Sequence, residues 1–324
     1  MVKNKLPVIF RFVISFGLLT ALIWIMRKDA GEVISILSGS NKTFILSAVL
    51  INMLFSIAIA YRLKMLMSGQ KIFVSIKDAV YLTFIGYFFN NFLPTAIGGD
   101  IAKAYYASKK TNNKAASYAA VLADRILGLV ATLLIALAGV IFMGKDMDNK
   151  FILWAVALAF FLLAAMLFML FKKNDLEAAA FSGGRGIFHT IKEKVLKLYT
   201  AVNFYRNSPV LMIKVIALSL LLQTGAIASI YFFILSVGGS IPIFRLFFII
   251  PLIWTVSMLP SLNGLGVREG AFVYFLKGYI GPEKGFTISL LWLGLIMLYS
   301  LTGGILHLLY PVKASDKKDI GDDR

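Results

Sequence analysis

The sequence predicts an all-α membrane protein: a polytopic helix bundle with two re-entrant helical hairpins in an inverted repeat. Three observations carry the prediction. The chain is 59% hydrophobic and only 15% charged, with a mean hydropathy of +0.83, which leaves too little polar surface for a soluble protein of 324 residues. Its apolar stretches reach the roughly 20 residues that cross a bilayer, and Thr43–Tyr61 and Phe151–Phe171 hold no charge at all. Two further stretches break in the same way. Phe92-Leu93-Pro94-Thr95-Ala96-Ile97-Gly98-Gly99-Asp100 interrupts one, and Met258-Leu259-Pro260-Ser261-Leu262-Asn263-Gly264-Leu265-Gly266-Val267-Arg268-Glu269 interrupts the other. Each places Gly four residues after Leu-Pro and a charge at the start of a new apolar run.

The elements follow in order. Residues 7–26 read as a retained first helix, because Arg11 lies within them and no small-residue cleavage site follows at Arg27-Lys28-Asp29. Apolar segments follow at about 43–61, 74–94, 116–142, 151–171, 210–237, 241–260 and 286–310. The runs after the two breaks, 98–110 and 266–278, are too short to span and are expected to fold back beside the segment before them. Between the halves, residues 172–208 carry Ile187, Phe188, Ile191, Val195, Leu198, Tyr199 and Val202 at helical spacing, with Lys192, Lys194 and Lys197 among them. That pattern suits a helix on the inner membrane surface and equally one packed on the bundle. The expected organisation is one transmembrane domain over 1–312, with repeat one at 43–142 and repeat two at 210–310. A polar cytoplasmic tail, 313–324, is expected to be disordered.

Charge orients the segments. The net charge is +17, and the basic residues cluster in short loops beside apolar spans, which suits anionic lipid headgroups rather than nucleic acid. With the N-terminus inside and 74–94 returning to its own side, inside loops hold 21 of the 33 basic residues and outside loops hold 7. That asymmetry fits the positive-inside rule. It implies a multi-pass protein of the plasma (inner) membrane with both termini in the cytoplasm. The first hairpin then enters from inside and the second from outside, so both breaks meet near the midplane. The chain has no Cys and only two distant His, His189 and His307, so no metal site and no cofactor is expected.

Charges at membrane depth are functional candidates, since each costs at least about 2.5–3.5 kcal/mol to insert. Asp100, Asp124 and Glu269 are the deep acids, and Lys103, Arg125 and Arg268 their basic counterparts. New helices start near Gly98 and Gly266, where free N–H groups and the positive dipole end attract an anion. Gly98, Gly99, Gly264 and Gly266 let backbone approach a ligand closely. Asn91 stands just before the first break. Together these residues form a candidate phosphate cradle, with Arg able to grip a phosphate through two parallel hydrogen bonds. Plainer roles stand beside that one. Asp100 is placed to cap its helix. Asp124 could tie to Arg268 or Lys103, and Arg268 to Glu269. Asn90 and Asn91 could satisfy backbone carbonyls freed by the break, and Gln223 and Lys214 suit helix–helix glue or snorkelling.

At these residues the chain resembles the transmembrane region of lysylphosphatidylglycerol synthase, the flippase-like integral membrane proteins. The resemblance rests on Asn91-Phe92-Leu93-Pro94 with Gly98-Gly99-Asp100, on Val121-Leu122-Ala123-Asp124-Arg125-Ile126-Leu127-Gly128, and on Leu259-Pro260 with Gly264-Leu265-Gly266-Val267-Arg268-Glu269. It covers about residues 5–312, with Lys103 where the family is expected to carry Arg. The resemblance implies lipid translocation. In the full-length resistance factors this region moves aminoacylated phosphatidylglycerol outward after a separate soluble domain makes it. The twelve residues after the last span leave no room for that domain, so a phosphatidylglycerol lysyltransferase activity would be one inherited only by family label. The leading expectation is a transporter for an anionic phospholipid or polyprenyl phosphate, with oligomerisation left open. A membrane-embedded lipid transferase and a non-catalytic membrane subunit are the alternatives.

Overall fold

A computed structural model describes residues 29–92, 98–143, 208–259 and 263–309, together with Gly17, residues 20–24, Met26, Arg27, Phe161, Tyr205 and Ser261. Most of the expected segments 7–26 and 172–208, all of 151–171 but Phe161, and the tail lie outside the described residues.

Local chemistry sets the helix ends. A short helix, α1 (Ala30–Gly39), precedes the first long one and has no counterpart among the expected segments. Helix α2 (Lys42–Gly69) starts at Asn41, whose side chain accepts the Thr43 amide at 2.9 Å. Helix α3 (Ile76–Phe92) opens on a Ser75–Asp78 box, Asp78 accepting from the Ser75 hydroxyl at 2.6 Å and Ser75 from the Asp78 amide at 3.1 Å. Helices α4 (Gly98–Thr111) and α5 (Lys114–Met143) complete the first set. Helix α6 (Pro209–Ser236) begins with Pro, whose missing N–H costs nothing there. Helix α7 (Ile243–Val256) carries Pro251 in its interior. Helix α8 (Val267–Ile280) ends at Gly281, whose φ of +85° is open to glycine, and Pro282 starts α9 (Pro282–Leu309).

Four of these helices, α2, α5, α6 and α9, are long and apolar enough to cross a membrane. At 1.5 Å per residue the 28 residues of α2 reach about 42 Å. Helices α3, α4, α7 and α8, of 17, 14, 14 and 14 residues, reach only about 21–26 Å, short of the roughly 30 Å hydrocarbon core. The chain is an all-α, multi-pass membrane protein.

The order long, short, short, long occurs twice. The paired starts are Lys42 and Pro209, Ile76 and Ile243, Gly98 and Val267, Lys114 and Pro282, separated by 167, 167, 169 and 168 residues. The two sets run in opposite directions. Ala48 bonds Ser229, Phe55 packs on Gly225, Arg62 bonds Ser219 and Leu211 meets Gly69, so α2 and α6 lie antiparallel. The sets also exchange arms. Helix α3 packs on α9 and α7 packs on α5, with Gly303 against the Phe84 backbone and Gly139 against Phe248. Among the described residues the two larger apolar cores are one mainly of α6–α9 and one mainly of α2–α5, each including side chains from the other set, and a small third joins Met26 and Val33 to Phe286.

Candidate functional site at the hairpin ends

Helix α4 folds back along α3. Asn90 Oδ1 accepts the Gly99 amide at 2.8 Å, Lys103 lies against Gly86, and Lys110 pairs with Asp78 at the open end. Asn90 therefore satisfies a free helix-start donor, where the sequence suggested freed carbonyls. A Cβ on Gly99 would run into the Gly86 carbonyl and the Asn90 amide; its missing side chain serves helix–helix approach. At the open end, His307 of α9 stands between two tyrosines, with Tyr81 Oη 3.4 Å from Nδ1 and Tyr106 Oη 3.3 Å from Nε2.

Helices α7 and α8 also fold back, with Ser257 beside Gly264 at one end and Arg245 over the Tyr279 ring, 5.3 Å from its centroid, at the other. Three left-handed residues precede or open α8: Asn263 (φ +48°), Gly264 (φ +80°) and Gly266 (φ +81°). Glycine takes this conformation without strain and Asn tolerates it. Glu269, fully buried, reaches back to the Gly266 amide at 2.6 Å and holds Arg268 through Nη2 at 2.6 Å and Nε at 3.1 Å.

A ladder of alternating charge crosses the first set. Arg62 Nη1 donates to Ser219 Oγ at 2.9 Å and its Nε to Asp124 Oδ1 at 2.8 Å. Lys103 Nζ lies 3.7 Å from Asp124 Oδ2 and 3.8 Å from Asp100 Oδ1, and Asp100 pairs with Arg125. Arg62, Lys103 and Asp124 are buried. The outer pair is more accessible, its side chains 31% exposed at Arg125 and 22% at Asp100. Burying such charges is expensive, so each is paired. Gln223 adds a polar tie from α6 to α5, donating to the Gly128 carbonyl at 3.2 Å and to Thr132.

The ends of the two hairpins meet. Asn263, in front of α8, donates to Asn91 Oδ1 at the end of α3, and the other amide atom of Asn91, Nδ2, is buried without a hydrogen-bond partner among the described residues. The expected site residues thus fall into three groups. Asp100, Lys103, Asp124 and Arg125 share the ladder. Arg268 and Glu269 pair with each other within α8, so Asp124 meets Lys103 and not Arg268. Asn91, Gly98, Gly99, Gly264 and Gly266 stand at the hairpin ends.

Arg62, Ser219, Asn263 and His307 were not anticipated. Arg62 falls just past the expected apolar segment 43–61, yet α2 continues through it to Gly69, and a single charge after an apolar run does not reveal a partner 62 residues away. Asn263-Gly264 did carry a signal, since Asn-Gly marks left-handed turns.

The sequence matches the family described as the lysylphosphatidylglycerol synthase TM region over residues 8–303. It is similar to UPF0104 membrane protein PH1989 of Pyrococcus horikoshii, 26% identical over 327 residues that cover 91% of this chain and 95% of that protein. The chain belongs to the lysylphosphatidylglycerol synthase transmembrane-region family.

Proposed function

We propose that the protein is a flippase-like transporter that moves an anionic phospholipid or another lipid phosphate between leaflets, with the headgroup passing the ends of the two hairpins. The observation that carries this reading is the meeting of those ends. The last turn of α3 and the turn before α8 meet where Asn263 bonds Asn91, and among the described residues no acceptor stands at the buried donor Asn91 Nδ2. An unsatisfied buried amide costs about 1–3 kcal/mol, and a phosphate oxygen would satisfy it. In the bilayer, α3–α4 and α7–α8 would enter from opposite faces and stop near the middle, because none is long enough to cross. The positive dipole end of α4 would face the phosphate, whereas the start of α8 is already capped by Glu269. Arg125, the most accessible cation of the ladder, is the side chain assigned to grip it, in exchange for Asp100. Arg268, engaged by Glu269, would hold the second hairpin's start in shape.

The test is transport of fluorescent phosphatidylglycerol in proteoliposomes by wild type and by Arg125→Gln. The variant leaves Asp100 with Lys103, so folding should survive. Transport should fall by about tenfold or more, the loss of one charge-assisted contact. Undiminished transport would remove Arg125 from the pathway, and no transport by wild type would remove the flippase reading.

A further inference from the structure

We infer that the second hairpin is the moving gate of this site, opening away from the first, and that Asn263 on Asn91 is its latch. The inference rests on the lipid-phosphate reading and adds which element moves and what holds it closed.

The two hairpins are fastened differently. The first is pinned to its neighbours by directed polar contacts on two sides: Asp100 and Lys103 to α5, and Tyr81 and Tyr106 to His307 of α9. Moving it relative to α5 would separate ion pairs at membrane depth, which is costly. The second keeps its polar groups to itself. Arg268 and Glu269 pair within α8, Thr255 Oγ1 donates to the Pro251 carbonyl at 2.8 Å, and Ser257 Oγ to the Ile253 carbonyl at 2.6 Å. Toward its neighbours it presents apolar side chains, among them the buried Leu246, Phe248, Ile250 and Ile253 of α7 and Phe272 and Leu276 of α8. Apolar contact has no preferred direction, so such a surface can slide where an ion pair cannot.

Among the described residues, one side-chain hydrogen bond crosses from the second hairpin to the rest of the protein, Asn263 to Asn91. It sits beside three left-handed backbone positions, Asn263, Gly264 and Gly266, and on a hairpin whose first arm lacks an internal N–H at Pro251. Parting that bond would bare the whole Asn91 amide, an acceptor and two donors, to an incoming phosphate and glycerol ester. Met258 and Leu259, 47% and 56% exposed on the same end, offer apolar surface for the acyl chains that must accompany the headgroup.

The chain contains no cysteine, so introduced thiols report without background. The double variant Asn91→Cys/Asn263→Cys, whose side chains touch in the closed state, should form a disulfide on mild oxidation. The cross-link reports how often the tip is closed and asks nothing of transport: its rate of formation in detergent should fall several-fold when dioleoyl-phosphatidylglycerol is added and not when dioleoyl-phosphatidylcholine is. A tip cross-link that forms equally fast with and without dioleoyl-phosphatidylglycerol overturns the gate and leaves the transporter reading standing. A second measurement uses a single thiol. Alkylation of Asn263→Cys in detergent should speed up several-fold when dioleoyl-phosphatidylglycerol is added and not when dioleoyl-phosphatidylcholine is. Acceleration without any transport would keep the gate and overturn the flippase reading; an unchanged rate overturns the gate.

Discussion

The two hairpins occupy corresponding places in a repeated order of helices, yet they are stabilised by different physics. In the first, α4 is tied to α3, α5 and α9 by ion pairs and hydrogen bonds that cross between helices. In the second, the ion pair that α8 forms among the described residues joins neighbours in sequence, Arg268 and Glu269, and the helix rests on apolar partners. A polar network costs desolvation and fixes one geometry. An apolar face with an internal pair tolerates displacement. One scaffold thereby holds a rigid half and a half free to shift.

The largest effect should come from removing the Arg62–Asp124 pair as a unit, measured against the same removal of Arg268–Glu269. Arg62→Met with Asp124→Leu takes from the buried Lys103 one of its two carboxylates and from Ser219 the guanidinium it accepts from, and should lower unfolding stability by up to about 3–5 kcal/mol. Arg268→Met with Glu269→Gln leaves no third group behind, and the Gln amide oxygen still accepts the Gly266 amide. That double variant should cost about 1 kcal/mol or less, since a self-contained buried pair is often replaceable without loss. Chemical denaturation of the purified protein in detergent measures both. Equal losses would mean that the second hairpin is bound into a network as extensive as the first.

A smaller effect probes what the hairpins share. Each exchanges an arm with the other set at a glycine: Gly303 of α9 lies on the Phe84 backbone, and a Cβ on Gly139 of α5 would meet Phe248 at 2.7–2.9 Å, Cβ and backbone alike. Valine at either position overpacks a backbone contact that cannot rotate aside, at about 1–3 kcal/mol. Similar losses at the two sites would sharpen the two-fold relation, and a loss at one alone would break it. Gly270 of α8 has open space where a Cβ would stand, so Gly270→Ala should instead stabilise by about 0.5–1 kcal/mol. Thermal shift in one detergent ranks all three.

Much of this arrangement was legible in the sequence and the rest had identifiable reasons for hiding. Apolar length located α2, α5, α6 and α9, and Leu-Pro followed by Gly located the ends of both hairpins. The fold-back of α4 was legible from its length taken with the distribution of basic residues. Arg62 was not, because hydropathy treats a charge as the end of a span and says nothing of a carboxylate waiting on α5. Helix α1 was hidden for the opposite reason, since ten residues beside Arg27-Lys28-Asp29 look like a loop to any span-length criterion. Which Asn did what was also beyond the sequence. Asn90 and Asn91 are adjacent and chemically identical, and only their positions around α3 make one a cap and the other a contact between hairpins.

The smallest predicted effect isolates that cap. Asn90 and Ser257 stand at corresponding places, 167 residues apart, each on a first arm and each near the glycine start of the second arm. Asn90 reaches across to the Gly99 amide, so Asn90→Ala should cost about 1 kcal/mol, the usual value of a helix cap. The Ser257 hydroxyl turns back to the Ile253 carbonyl of its own helix, and the start of α8 is capped from within by Glu269. Ser257→Ala should therefore change stability by less than about 0.5 kcal/mol. Hydrogen exchange at Gly99 and Gly266 reads the difference directly: the first amide should lose protection in Asn90→Ala, and the second should keep it in Ser257→Ala. Lost protection at Gly266 would show that the second hairpin, like the first, depends on its opposite arm to begin its helix, and the contrast between a pinned and a self-supporting hairpin would fail at its most local level.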